Sequence, residues 1–118
     1  MKILIIDDNK ETTTMLSKFF SSRGFPIVIT NDPMEGLLHI QHEQFDVILL
    51  DISMPEISGF NIIQILAADG ILKDQNIFIF YGTDIHETRI KDLLRREGIS
   101  GFLKKPIELD ELFKTITS

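Results

Sequence analysis

Three uninterrupted apolar runs mark the chain: Ile3-Leu4-Ile5-Ile6, Val47-Ile48-Leu49-Leu50 and Ile77-Phe78-Ile79-Phe80. Short apolar runs closed by polar residues are the pattern of strands buried on both faces of a parallel sheet. Ile27-Val28-Ile29 and Gly101-Phe102-Leu103-Lys104 read as two further strands. Between the strands the apolar residues recur at helical spacing. Met15, Leu16, Phe19 and Phe20 predict a first helix that stops at Gly24. Asp32-Pro33-Met34-Glu35 supplies an N-cap, a proline at the first helical position and a first-turn carboxylate, and Met34, Leu37, Leu38 and Gln41 continue that helix. Phe60, Ile63, Leu66 and Ala67 mark a third helix beyond Gly59, and Ile90, Leu93 and Leu94 a fourth. Leu109, Leu112, Phe113 and Ile116 share one face of a fifth. Strand and helix alternate without a linker or an internal repeat. The pattern predicts one α/β domain over residues 1–118, a five-stranded parallel sheet with right-handed crossovers, flanked by five helices.

Charge and composition narrow the partners. Formal net charge is −6 over 118 residues, which argues against nonspecific binding to nucleic acid or to an anionic membrane. The absence of cysteine removes disulfides, thiol catalysis and thiolate metal sites. No apolar run approaches the roughly 20 residues of a membrane helix, and the N-terminal run is too short for a signal peptide. A soluble, cytoplasmic protein is expected.

The polar residues that close the strands carry the chemistry. Asp7-Asp8 follows the first strand, Asp51 follows Leu50, and Lys105 follows the fifth strand. Ligand sites of open α/β sheets lie at these strand ends. Three carboxylates delivered to one edge repel one another unless a cation joins them, so the simplest account is a divalent-metal site with one carboxylate left to react. Taken singly, each piece has a plainer reading. Asp7-Asp8, alongside Asn9, serves equally as a cap for the first helix, Asp51 as a strand end, and Lys105 as a solvated lysine. His39, His42 and His86 have no spacing that supports a metal site and read as surface residues.

In order and spacing, Asp7-Asp8, then Asp51 with Met54-Pro55 and Gly59, then Lys105-Pro106, the chain resembles the receiver domain of two-component response regulators from end to end. The resemblance implies a flavodoxin-like fold of strand order 2-1-3-4-5. It implies Asp51 as phosphoacceptor. It also implies a Mg²⁺ site (Mn²⁺ being possible) made by Asp8, Asp51 and the backbone carbonyl of Ser53, with Asp7 acting chiefly through water. Lys105 would pair with Asp51 at rest and with a phosphoryl oxygen afterwards.

The end of the fourth strand departs from that family, which carries Thr or Ser and then a small residue there. Counting from the strand places Tyr81 at the hydroxyl position and Gly82 at the small one, whereas counting back from Lys105 points to Thr83. The strand register favours Tyr81. Its ring would carry a hydroxyl well beyond the reach of a threonine, and Gly82 would give the room for that. Phe102 occupies the position of the family's Tyr or Phe switch; the plainer reading is a core aromatic.

Three functions follow as expectations. The first is a phosphoacceptor switch, supplied by a sensor histidine kinase or a histidine phosphotransfer protein. It would bind its output protein on the face of the fourth helix, fifth strand and fifth helix, as a monomer or weak dimer without an output domain of its own. The second is a constitutive interaction module with impaired switching. A metal-dependent phosphohydrolase is more distant, because the HAD-type phosphatases need an Asp where Ser53 stands. At most the domain phosphorylates and dephosphorylates itself.

Overall fold

The computed structural model describes residues 1–53, 59–82 and 85–118, the side chain of Glu87 excepted. In chain order the elements are β1 (Ile3–Ile6), α1 (Lys10–Ser22), β2 (Ile27–Thr30), α2 (Pro33–His42), β3 (Val47–Asp51) and α3 (Gly59–Ala68). A 3₁₀ turn over Leu72–Asp74 leads into β4 (Ile77–Tyr81), α4 (Glu87–Leu94), β5 (Ile99–Lys104) and α5 (Leu109–Thr117). All strand pairs are parallel and their order is β2-β1-β3-β4-β5, as the resemblance implies.

Alternation along each central strand divides the core into two layers. Leu4, Ile6, Ile48, Leu50 and Ile79 face Leu37 and Ile40 of α2, Ile62 and Leu66 of α3, and Ile90 and Leu93 of α4. Ile3, Ile5, Val47, Leu49, Phe78 and Phe80 face Leu16 and Phe20 of α1 and Leu112 and Ile116 of α5. Complete burial of an aliphatic side chain contributes about 1.5–3 kcal/mol, so these two layers hold the strand ends, and the polar residues on them, in fixed register.

Local chemistry sets the helix ends. Asn9 Oδ1 accepts from the amides of Glu11 (2.9 Å) and Thr12 (3.2 Å), so Asn9 caps α1 and the two aspartates are left for other work. Asp32 Oδ1 caps α2 through the amide of Met34 at 2.9 Å, with Pro33 in the first turn. Gly24, at φ 80°, follows the end of α1. The inward face of α2 differs from the sequence pattern: Gly36, Leu37 and Ile40 are buried, while Met34 and Leu38 are exposed. Gly36 explains the rotation, because a Cβ there would lie 2.6 Å from Ile6 Cδ1; the missing side chain lets α2 press directly on β1.

Of the histidines, His42 and His86 are exposed, and His86 Nδ1 accepts from the amide of Thr88 as the cap of α4. His39 is half-buried against Phe45, with Nδ1 2.7 Å from Glu43 and Nε2 3.7 Å from Glu35. Among the described residues no helix is long and apolar enough to cross a membrane.

Candidate functional site

The C-terminal edge of the sheet gathers the polar residues that close β1, β3 and β5. Asp7 follows β1 and is wholly buried, Asp51 ends β3 and is 2% exposed, and Asp8 is open to solvent. Oxygens of these three carboxylates all lie within 4.8 Å of one another. Lys105 directly follows β5 and is joined to Pro106 by a cis peptide. Its Nζ lies 2.9 Å from Asp7 Oδ2 and 3.1 Å from Asp51 Oδ2. The hydrogen bond is directed at Asp51. Asp7 Oδ2 is consequently ion-paired yet buried, and among the described residues no hydrogen-bond donor is aligned with it.

Backbone donors hold the other oxygens. The amide of Asn9 donates to Asp7 Oδ1 at 3.0 Å and that of Ser53 to Asp51 Oδ1 at 2.8 Å, so each buried carboxylate has one fixed edge and one edge turned to the shared space. Gly59, the first residue of α3, keeps this corner tight: a Cβ there would fall 2.8 Å from the Asp51 carbonyl oxygen. Asn31, which pattern reading passes over, reaches the backbone carbonyl of Asp7 at 2.8 Å.

Burial pushes the Asp7 carboxyl up to about 6 from an ordinary 3.8; the Asn9 amide and the Lys105 ammonium pull it back, while the Asp51 charge raises it. Burial works to lower Lys105, but the Asp7 and Asp51 carboxylates outweigh it and hold the ammonium above the usual lysine value. One ammonium therefore serves two carboxylates at close range, with a third beside them. An all-oxygen donor set with an undirected buried carboxylate oxygen suits a small, hard divalent cation, and so the residues present fit one.

Tyr81 is the last residue of β4, pairs in register with Lys104 and is 5% exposed. Its backbone carbonyl accepts from the amide of Lys105 at 2.8 Å. Its ring lies 5.7 Å from that of Phe102, and Gly82 is half-buried. Phe102 is 40% exposed, so it is not a core aromatic: it alternates with Leu103, whose side chain enters the core beside α1 and α5. Met54, Pro55 and Thr83 lie outside the described residues.

The response regulator receiver domain family matches residues 3–117. The chain is 26% identical over 117 residues to the CAI-1 autoinducer sensor kinase/phosphatase CqsS of Vibrio cholerae, covering 99% of this chain and 17% of that protein. It is 28% identical over 116 residues to the transcriptional regulatory protein CusR of Escherichia coli, covering 98% and 49% respectively. The chain thus spans half or less of the length of these relatives. Among solved structures, a Francisella response regulator receiver domain superposes with a TM-score of 0.83 at 28% identity, over 98% of this chain and 93% of that one.

Proposed function

The chain belongs to the response regulator receiver domain family, and from that premise we propose that it accepts a phosphoryl group on Asp51 from a sensor histidine kinase or a histidine phosphotransfer protein. Domains of this family are signalling modules of two-component systems that bind Mg²⁺ in an acidic pocket. One observation carries the reading: a nearly buried carboxylate at the sheet edge has an ammonium 3.1 Å from one oxygen and two further carboxylates within 4.8 Å.

The chemistry follows from the arrangement. A carboxylate oxygen of Asp51 attacks the phosphorus of a phosphohistidine; the P–N bond breaks, its electron pair stays on the imidazole nitrogen, and an aspartyl phosphate forms. The Ser53 amide fixes the plane of the Asp51 carboxylate for in-line approach. Lys105, already against Asp51 Oδ2, moves to a phosphoryl oxygen after transfer. Asp8, Asp51 and the Ser53 carbonyl would hold Mg²⁺ directly and Asp7 through water, and Mn²⁺ suits the same set. When bound, the ion neutralises charge on the transferring oxygens.

The acidic set and lysine argue against a module that has lost phosphoacceptance. On this reading the output step is where the chain differs: the count along β4 puts Tyr81, buried and with its ring 5.7 Å from that of Phe102, at the position where the family has a short hydroxyl, with Thr83 as the alternative. The face built by α4, β5 and α5, with Phe102 partly exposed on it, is the proposed surface for the output partner.

Intact-mass measurement after exposure to acetyl phosphate, with and without Mg²⁺, tests the acceptor. The expected result is one Mg²⁺-dependent phosphoryl group on the parent and none on Asp51→Asn. An Asp51→Asn protein that takes up as much phosphate as the parent, with no label on a neighbouring residue, refutes the assignment.

A further inference from the structure

The loop that carries Asp7 and Asp8 is held from the neighbouring strand by a side chain. We propose that Asn31 is a positioning residue for the acidic site: its amide fixes the Asp7–Asp8 peptide so that both carboxylates face Asp51. The inference rests on the metal site proposed above and concerns how this chain builds it.

β1 and β2 run in parallel register up to the pair Ile6 and Thr30. One rung continues beyond it, since the Asp7 amide donates to the Thr30 carbonyl at 3.2 Å. The Asp7 carbonyl then needs a donor from the segment after β2. The next two backbone positions beyond Asn31 do not supply one: the Asp32 amide donates to Thr30 Oγ1 at 3.1 Å, and Pro33 has no N–H. The Asn31 side chain takes the place of the missing rung, with Nδ2 2.8 Å from the Asp7 carbonyl oxygen.

A second contact fixes which way the amide points. Asn31 Nδ2 also lies 3.0 Å from Thr13 Oγ1, and Thr13 is 1% exposed. The Thr13 hydroxyl donates to the Lys10 carbonyl at 3.2 Å, so its lone pairs face Asn31. Both neighbours of Nδ2 are therefore acceptors, and only the NH₂ group of the amide satisfies them. One side chain thereby ties the end of β2, the β1–α1 loop and the first turn of α1 together. The peptide plane between Asp7 and Asp8 is pinned on its carbonyl side by Asn31, while Asn9 closes the loop on the other side by donating to Asp7 Oδ1. Groups that orient metal ligands without touching the metal commonly carry about 10- to 100-fold of its affinity.

Mg²⁺ titration of the full chain by calorimetry, with thermal unfolding of the metal-free protein measured in parallel, tests this. Asn31→Ala should weaken Mg²⁺ binding by about tenfold. In metal-free protein it should speed amide hydrogen exchange at Asp8 and Asn9. Thr13→Val, which removes one acceptor of the same amide, should move both readings the same way by less. Ile116→Val, which thins the distant core at α5, should lower melting without changing Mg²⁺ affinity. Unchanged Mg²⁺ affinity in both Asn31→Ala and Thr13→Val overturns the inference alone, as does an equal loss in Ile116→Val. A parent that binds no Mg²⁺ in the millimolar range overturns the metal site and this inference together.

Discussion

Asp7 gives the protein without divalent metal an unusual dependence on pH. Its carboxyl titrates near 6 in the fold against 3.8 ordinarily, chiefly because burial penalises the charge. Between those values the unfolded chain loses the Asp7 proton and the folded one keeps it, so the folded state binds more protons. The contribution of Asp7 is thus fully present below about pH 4 and is lost as pH rises through about 6. The difference between the two values corresponds to about 3 kcal/mol, an upper figure because Lys105 and its surrounding water relax around the charge. Exposed carboxylates that gain partners, such as Glu43 beside Lys2 and His39, act in the opposite sense. The useful quantity is therefore the parent minus Asp7→Asn, each unfolded with guanidinium at steps from pH 4 to 7.5 in EDTA. The parent should lose about 1.5–3 kcal/mol relative to the variant across that window. With Mg²⁺ at ten times its dissociation constant, binding restores about 1.4 kcal/mol near pH 7 and releases a proton below pH 6. Parallel curves for parent and variant in EDTA would refute the assignment of a buried, strained carboxylate to Asp7.

Other outcomes follow from the same geometry. Asp8→Ala should lose most of the Mg²⁺ affinity and Asp7→Ala somewhat less, read by calorimetric titration. Gly36→Val should destabilise by about 1–3 kcal/mol through collision with Ile6, measured by chemical unfolding, with the acetyl phosphate reaction of the surviving folded protein unchanged. Tyr81→Thr should enlarge the chemical-shift changes that beryllofluoride, a phosphoryl mimic, produces around Gly82 to Ile90 and at Phe102, while Thr83→Ala should do little. The reverse pattern would assign the switch position to Thr83.

Much of the architecture is written locally. Ile3 to Ile6 and Val47 to Leu50 are apolar at every position because both faces of their strands are covered, and Asp32-Pro33 announces the start of α2 in its own residue types. The gathering of Asp7, Asp8, Asp51 and Lys105 is legible for the same reason, since parallel strands deliver their closing residues to one edge. What escapes the pattern depends on contacts between distant segments. The face that α2 buries is chosen by the fit of Gly36 on Ile6, not by the spacing of Met34, Leu37 and Leu38. Phe102 reads as core by type, yet alternation with the buried Leu103 turns it outward. Asn31 looks like an ordinary loop residue, and its amide is needed only because the Asp32 amide is engaged by Thr30 Oγ1 and Pro33 has no N–H. A signal was present in that Asp-Pro pair, but it speaks of a helix start and not of the carbonyl across the sheet.

Tyr81 is the one tyrosine of a chain without tryptophan, and it is buried at the strand end next to the acidic edge. The protein therefore carries a built-in optical reporter at a single known address. Near-ultraviolet absorbance, dichroism and intrinsic emission dominated by that phenol would follow the corner where β4 meets Lys105, with no dye or added residue. An unfolding curve recorded through it would describe that corner first, so its agreement with a backbone signal becomes a direct measure of whether the site and the sheet melt as one unit.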